Sequence, residues 1–307
     1  MKKSTRQAYG EALVELGAKN NNIVVLDADL SKSTKTAGFK EKYNDRFINI
    51  GISEQDLMGT AAGLSTAGKI PFASTFAMFA AGRAFEQIRN TIGYPHLNVK
   101  ICPTHAGISV GEDGGSHQSI EDIALMRTIP GMVVLSPADA VETKKAIFAA
   151  AEYVGPVYVR LGRLDTPILF DESYDFKIGK IATVTEGTDV TIAATGLMVT
   201  EAKDAAAELA KEGISVRVLN VSTIKPLDEE AIIKAAKETK FIVTAEEHSV
   251  IGGLGGAVAE LVSEKHPTKV IRVGIYDRFG ESGKGAELLV KFHLKAKDLV
   301  EKIKENL

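Results

Sequence analysis

The 307 residues are 45% hydrophobic and 25% charged, an ordinary globular balance with enough apolar material for two domains. A net charge of −3 gives no reason to expect nucleic acid or an anionic membrane as partner, and no apolar run is long enough to cross a bilayer. The single cysteine, Cys102, excludes a disulfide framework or a Cys-based zinc site within the chain, and the basic start MKKSTRQAYG lacks the apolar stretch of a signal peptide, so the expected location is cytoplasmic.

In chain order, TRQAYGEALVEL has helical spacing and leads into NIVVLDADL, a strand whose carboxyl end bears Asp27, Asp29, Ser31 and Ser33. RFINIGI reads as a second strand, and Glu54 follows its Gly-Ile-Ser turn. KIPFAST is the third, followed by Phe76 and Phe79 and a helical pattern, AAGRAFEQIRNTI. NVKICPTH is the fourth and ends on His105; a Gly-rich loop with Glu112, Asp113 and His117 comes next. GMVVLSPAD, the helix AVETKKAIFAAAEY and PVYVRLGR complete the series, with Arg160 and Arg163 beyond the last strand. All six strands read as buried on both faces, and strand–helix alternation of this kind predicts a parallel, doubly wound α/β sheet.

The alternation lapses from Leu164 to Gly187 and then resumes: DVTIAATG, helix EAKDAAAELAKEG, SVRVLNV, helix DEEAIIKAAKE, KFIVTAEEH, helix GAVAELVSEK, KVIRVGIYD and a closing helix LKAKDLVEKIKENL. The reading is α/β with two doubly wound domains, 1–170 and 189–307, joined by a linker at 171–188. Ligands of such sheets gather beyond the carboxyl ends of the strands. Two histidines, two arginines, several acids and a pair of aromatics map to that edge of the first domain. Each has a plain alternative. Glu54 could be a first-turn acid favoured by the helix dipole, His105 a hydrogen-bonded structural residue, and the phenylalanines core. IGGLGGA at 251–257 does not match the dinucleotide fingerprint and reads as a tight turn into a helix.

Taken together, GISEQ, TFAMF, PTHAGISVGEDGGSHQSIED and LGRLDTP resemble the pyrimidine-binding domain of transketolases, and the chain from Asp189 onward resembles their C-terminal domain. The same architecture occurs in deoxyxylulose-phosphate synthase and in the β subunits of 2-oxoacid dehydrogenases. Transketolases hold the cofactor's diphosphate and metal through Gly-Asp-Gly followed some thirty residues later by Asn-Asn; Gly-Asp-Gly does not occur in this sequence, and its NNN at 20–22 lies too early to complete the motif. The resemblance therefore implies the C-terminal subunit of a split transketolase, an α2β2 enzyme with a separate N-terminal partner. That partner would bind the diphosphate of thiamine diphosphate and its Mg2+ or Ca2+, leaving this chain without a metal site.

The resemblance also implies roles. Glu54 would hold N1′ of the cofactor's aminopyrimidine, favouring the imino tautomer that takes the proton from thiazolium C2; this bond needs the protonated carboxyl group, a form that burial favours. Phe76 and Phe79 would pack on the pyrimidine, and Asp29 would lie near the thiazolium ring. Arg6, Ser33, His105 and Arg163 would grip the sugar phosphate, for which guanidinium offers paired donors and a permanent charge. Asp113 would contact a substrate hydroxyl, and His117 would stand near the reacting carbons. Two positions depart from the pattern: Gly82 stands where many transketolases have a third aromatic, and Gln55 replaces a common histidine. Ketol transfer between sugar phosphates is thus the expectation. A 2-oxoacid dehydrogenase β subunit or a deoxyxylulose-phosphate synthase fragment is the alternative within the fold, and a regulatory binding protein the alternative outside catalysis.

Overall fold

The computed structural model describes residues 2–307. The first half runs β1 (Lys2–Ser4), α1 (Thr5–Lys19), β2 (Ile23–Asp27), α2 (Ser31–Thr34), α3 (Ala37–Lys42), β3 (Phe47–Asn49), α4 (Glu54–Thr66), β4 (Ile70–Ser74) and β5 (Lys100–Ile101). It continues with α5 (Asp122–Arg127), β6 (Val133–Leu135), α6 (Ala140–Glu152), β7 (Val157–Val159) and β8 (Asp165–Pro167). Along β2 the side chains alternate: Ile23 and Val25 join one core with Tyr9 and Leu13 of α1, while Val24 and Leu26 join another with Leu57 and Met58 of α4. Both faces are thus covered by helices, as a parallel sheet requires. Cys102 lies fully buried in the first of these cores.

The main sheet of the first half runs β6-β7-β5-β4-β2-β3, all six strands parallel, while β1 and β8 pair antiparallel in a separate ribbon. Two expectations need correction. Strand β3 is the edge of this sheet and is only partly covered, because an edge strand has a neighbour on one side alone. The helical stretch AAGRAFEQIRNTI winds as two π-helical segments, Phe79–Arg83 and Gln87–Gly93, in place of a regular α-helix.

The second half holds β9 (Ala182–Thr185), β10 (Val190–Ala194), α7 (Met198–Ala210), β11 (Val216–Asn220), β12 (Thr223–Lys225) and α8 (Glu229–Glu238). After these come β13 (Ile242–Ser249), α9 (Leu254–Lys265), β14 (Val270–Ile275), α10 (Gly285–Lys291) and α11 (Ala296–Lys304). Its sheet, β14-β13-β10-β11-β9, is parallel except for β9, which forms inside the expected linker and pairs antiparallel with β11. The IGGLGGA turn enters α9, with the Glu246 carboxylate accepting from the N–H groups of Leu254 and Gly255.

The halves are interlocked. Strand β12 leaves the second half and pairs antiparallel with β6 of the first sheet. The loop 280–285 lies against the Gly-rich loop 111–115, so close that a Cβ on Gly115 would stand 2.8 Å from the Gly280 carbonyl oxygen. Arg160 is buried between the halves, pairing with Asp122 at 2.9 Å and donating to the Glu247 carbonyl at 2.9 Å. Among the described residues no helix is long and apolar enough to cross a membrane.

Candidate active site

The chain passes from β2 to β3 on one side and then returns to β4 on the other. Loops leaving β2 and β3 therefore diverge from those leaving β4 and β5, opening the crevice where doubly wound sheets bind ligands. Glu54 opens α4 at this crevice with its side chain 1% exposed. Its Oε2 accepts from Arg83 Nη1 at 2.7 Å and its Oε1 from Thr75 Oγ1 at 3.4 Å. The position suits an acid, since the first helical turn favours negative charge.

Beside it stand the aromatics. The Phe76 and Phe79 rings are 6.0 Å apart and nearly parallel, and the Arg83 guanidinium lies 4.6 Å from the Phe79 centroid. His105 stacks on Phe76 at 3.9 Å, and His117 meets Phe79 edge-on at 5.3 Å. The sequence separates these four residues by up to 41 positions, from 76 to 117; the sheet brings them to one point.

His105 has a left-handed backbone, φ 61°, a conformation that costs a non-glycine residue about 1–2 kcal/mol. The ring is held on both sides, with Nδ1 2.7 Å from Thr104 Oγ1 and Nε2 3.1 Å from Arg6 Nη1. A guanidinium only donates, so Nε2 accepts and Nδ1 carries the hydrogen. Burial, then the charges of Arg6 and Arg163, push the His105 pKa down to about 3, which keeps the imidazole neutral at physiological pH.

Arg6 also donates to the Ser33 carbonyl at 2.9 Å, while its buried Nε has no partner among the described residues. Burial and the neighbouring Arg163 charge both lower its pKa. Two guanidiniums close enough to repel, one with an unused buried donor, make a place for an anion. Arg163 donates to the Val110 carbonyl and lies 3.3 Å from Asp113 and 3.4 Å from Glu112, which anchors the Gly-rich loop.

Not every expected residue joins this cluster. Asp29 is exposed, at φ 62°, and exchanges two 3.0 Å hydrogen bonds with Asn49. Ser33 contributes its carbonyl to Arg6, and its hydroxyl makes no bond among the described residues. Of the other polar strand ends, Asp27 is fully buried, accepting from Thr34, Thr36 and the Leu30 N–H, and Arg160 is spent on Asp122; both are structural. Arg83, Thr75, Thr104 and Asn49 are the partners that sequence reasoning missed. The adjacent departure at Gly82 was the one signal pointing toward Arg83.

The lining suits a planar nitrogen heterocycle: a ring laid on Phe79 in the place of the Arg83 guanidinium would turn its edge toward the buried Glu54 carboxyl group. Residues 1–168 match the transketolase pyrimidine-binding domain and residues 179–299 the transketolase C-terminal domain. A protein of Methanocaldococcus jannaschii described as a transketolase C-terminal section is 54% identical, covering 99% of this chain and 96% of its own. A 6-deoxy-6-sulfo-D-fructose transketolase subunit of Clostridium sp. is 44% identical over 96% of this chain and 92% of its own. A solved structure described as a split gene transketolase, inactive beta4 tetramer, superposes with a TM-score of 0.90 at 54% identity, covering 98% of this chain and 97% of that one. The chain belongs to the transketolase family and corresponds to the C-terminal part of a split transketolase.

Proposed function

We propose that this chain is the pyrimidine-binding subunit of a thiamine diphosphate-dependent transketolase that moves a two-carbon ketol unit from a ketose phosphate to an aldose phosphate. The observation that carries the reading is Glu54, a carboxyl group 1% exposed, facing the crevice beside the stacked Phe76 and Phe79. Thiamine diphosphate, when bound, supplies a carbon nucleophile and an electron sink. This chain's residues orient it and the substrate. Glu54 would donate to the pyrimidine ring nitrogen, the two phenylalanines would bear the ring, and Asp29 would stand near the thiazolium.

His117, edge-on to Phe79, would stand near the reacting carbons, and neutral His105, bonded to Arg6, would help to grip the sugar phosphate. Asp113 would take a substrate hydroxyl. Arg6, Arg163 and Ser33 would hold the anionic end. That the Clostridium relative acts on a sulfonated sugar supports an anionic terminus as the shared element. Mg2+ or Ca2+ and the diphosphate would belong to an N-terminal subunit, in an α2β2 cytoplasmic enzyme; the solved relative described as an inactive beta4 tetramer supports the need for that partner.

The test is reconstitution with a partner chain bearing Gly-Asp-Gly and Asn-Asn. Turnover of a ketose phosphate should need both chains, thiamine diphosphate and the divalent metal. Turnover of pyruvate with none of ketose phosphate would assign the chain to the oxoacid dehydrogenases, and full activity of this chain alone would overturn the split.

A further inference from the structure

We propose that Arg83 is a placeholder for the cofactor's aminopyrimidine: its guanidinium occupies the ring's place between Glu54 and Phe79 and leaves when the ring enters. The inference rests on the thiamine diphosphate reading above.

The guanidinium already makes the two contacts required of the heterocycle. It is planar, lies 4.6 Å from the Phe79 centroid, and puts an N–H 2.7 Å from the Glu54 carboxylate. Position and chemistry both explain why it sits there. Arg83 ends the π-helical turn that begins at Phe79, four residues on, so it stands over the same ring. Glu54 is enclosed, and a buried carboxylate without a counterion is strongly disfavoured. With no ring bound, the arginine is what satisfies it.

The pair is asymmetric in a way that suits a removable occupant. Glu54 is 1% exposed and fixed at a helix start, whereas the Arg83 side chain is 49% exposed and can turn into solvent without unfolding anything. Its backbone stays tied, because Gln55 Nε2 donates to the Arg83 carbonyl at 3.4 Å.

The two states exclude each other. A carboxylate accepting from a guanidinium has no hydrogen to donate, while the bond to the pyrimidine nitrogen needs a donor. Two planar groups also cannot share one face of Phe79. The cofactor must therefore compete with Arg83, and its apparent affinity is reduced by the fraction of sites in which Arg83 is still docked.

The experiment titrates thiamine diphosphate with Mg2+ into the assembled two-subunit complex by calorimetry, using wild type, Arg83→Gln and Arg83→Lys. Glutamine removes the cation and should tighten binding on the order of tenfold, as expected when docked Arg83 fills about nine sites in ten. Lysine keeps the counterion, and so the fold, but cannot cover the ring; it should tighten binding less. In the lone chain, Arg83→Gln should lower the Tm, and the double variant with Glu54→Gln should recover most of the loss. A structural ion pair would also show the Tm changes but would not tighten cofactor binding. Cofactor uptake that is unchanged or weaker in both single variants overturns the placeholder and leaves the functional reading standing. No uptake by the wild-type complex overturns that reading and the placeholder with it.

Discussion

Replacing Glu54 by glutamine keeps the shape of a nearly enclosed side chain, and its carbonyl can still accept from Arg83, so the fold should hold. What is lost is the acid. A missing acid–base group costs roughly a hundredfold or more, so kcat of the reconstituted enzyme should fall by that much at saturating cofactor, with an unchanged circular dichroism spectrum. Near-normal turnover would remove Glu54 from the chemistry. The arginines separate binding from chemistry. Arg6→Ala and Arg163→Ala should each raise KM for a phosphorylated donor by roughly 1.5–3 kcal/mol, the worth of a hydrogen bond to a charged group. Hydroxypyruvate, which carries no phosphate, should lose much less. Arg163 does not pair with its neighbour Asp165; it holds Asp113 and the Val110 carbonyl, so its removal should also loosen the Gly-rich loop. Arg6→Ala is the cleaner probe. Equal losses with both donors would count against an anion clamp.

At the level of elements, the Gly-rich loop depends on the second half of the chain. Gln118 is buried and donates to the carbonyls of Ile108 at 3.0 Å and Glu281 at 2.9 Å, binding loop 111–115 to loop 280–285. Gly115→Ala would place a methyl group 2.8 Å from the Gly280 carbonyl oxygen, a contact neither backbone can relieve locally. Overpacking of this kind costs about 1–3 kcal/mol, so the variant should melt several degrees lower and bind donor more weakly, because Asp113 and His117 ride on that loop. A Tm equal to wild type would mean that the loops part easily.

The same elements mark how far the sequence could be read. Apolar runs such as IVVLD and VYV announced their strands, because burial on both faces leaves a continuous hydrophobic signature. Motif order placed Glu54, Phe76, Phe79, His105 and His117 at one sheet edge. The π-helical winding after Phe79 was illegible, since one or two turns of helical spacing do not distinguish it from an α-helix. Neither could β12 be assigned to the first sheet, as that pairing joins Thr223 to Leu135, far apart in the chain. Arg83 escaped for a related reason: which arginine reaches a carboxylate is decided by the turn between them.

For the whole molecule, stability should follow pH through groups enclosed where the halves meet and beneath the sheets. Burial pushes Glu142, Glu246 and Glu247 up to about 7 from an ordinary 4.5. Raised acids stabilise fully below their unfolded pKa, and that contribution is lost as pH rises from 4.5 through about 7. His105, held near 3, and His248, held near 4 by burial, act in the opposite sense; their contribution is complete above 6.5 and lost as pH falls. The two trends oppose one another between 4.5 and 6.5, and the glutamates act alone just above. Glu247 is the best single probe, since it lies between the halves, with Arg160 and Asp122 as its charged neighbours and the Ser109 N–H as a donor. A glutamine there still accepts from Ser109 but never ionises. Plotted as a difference in Tm, Glu247→Gln should gain on wild type as pH rises from 4.5 to about 7 and run parallel above it. Curves parallel throughout would show that Glu247 is already ionised at acid pH, with Arg160 outweighing its burial.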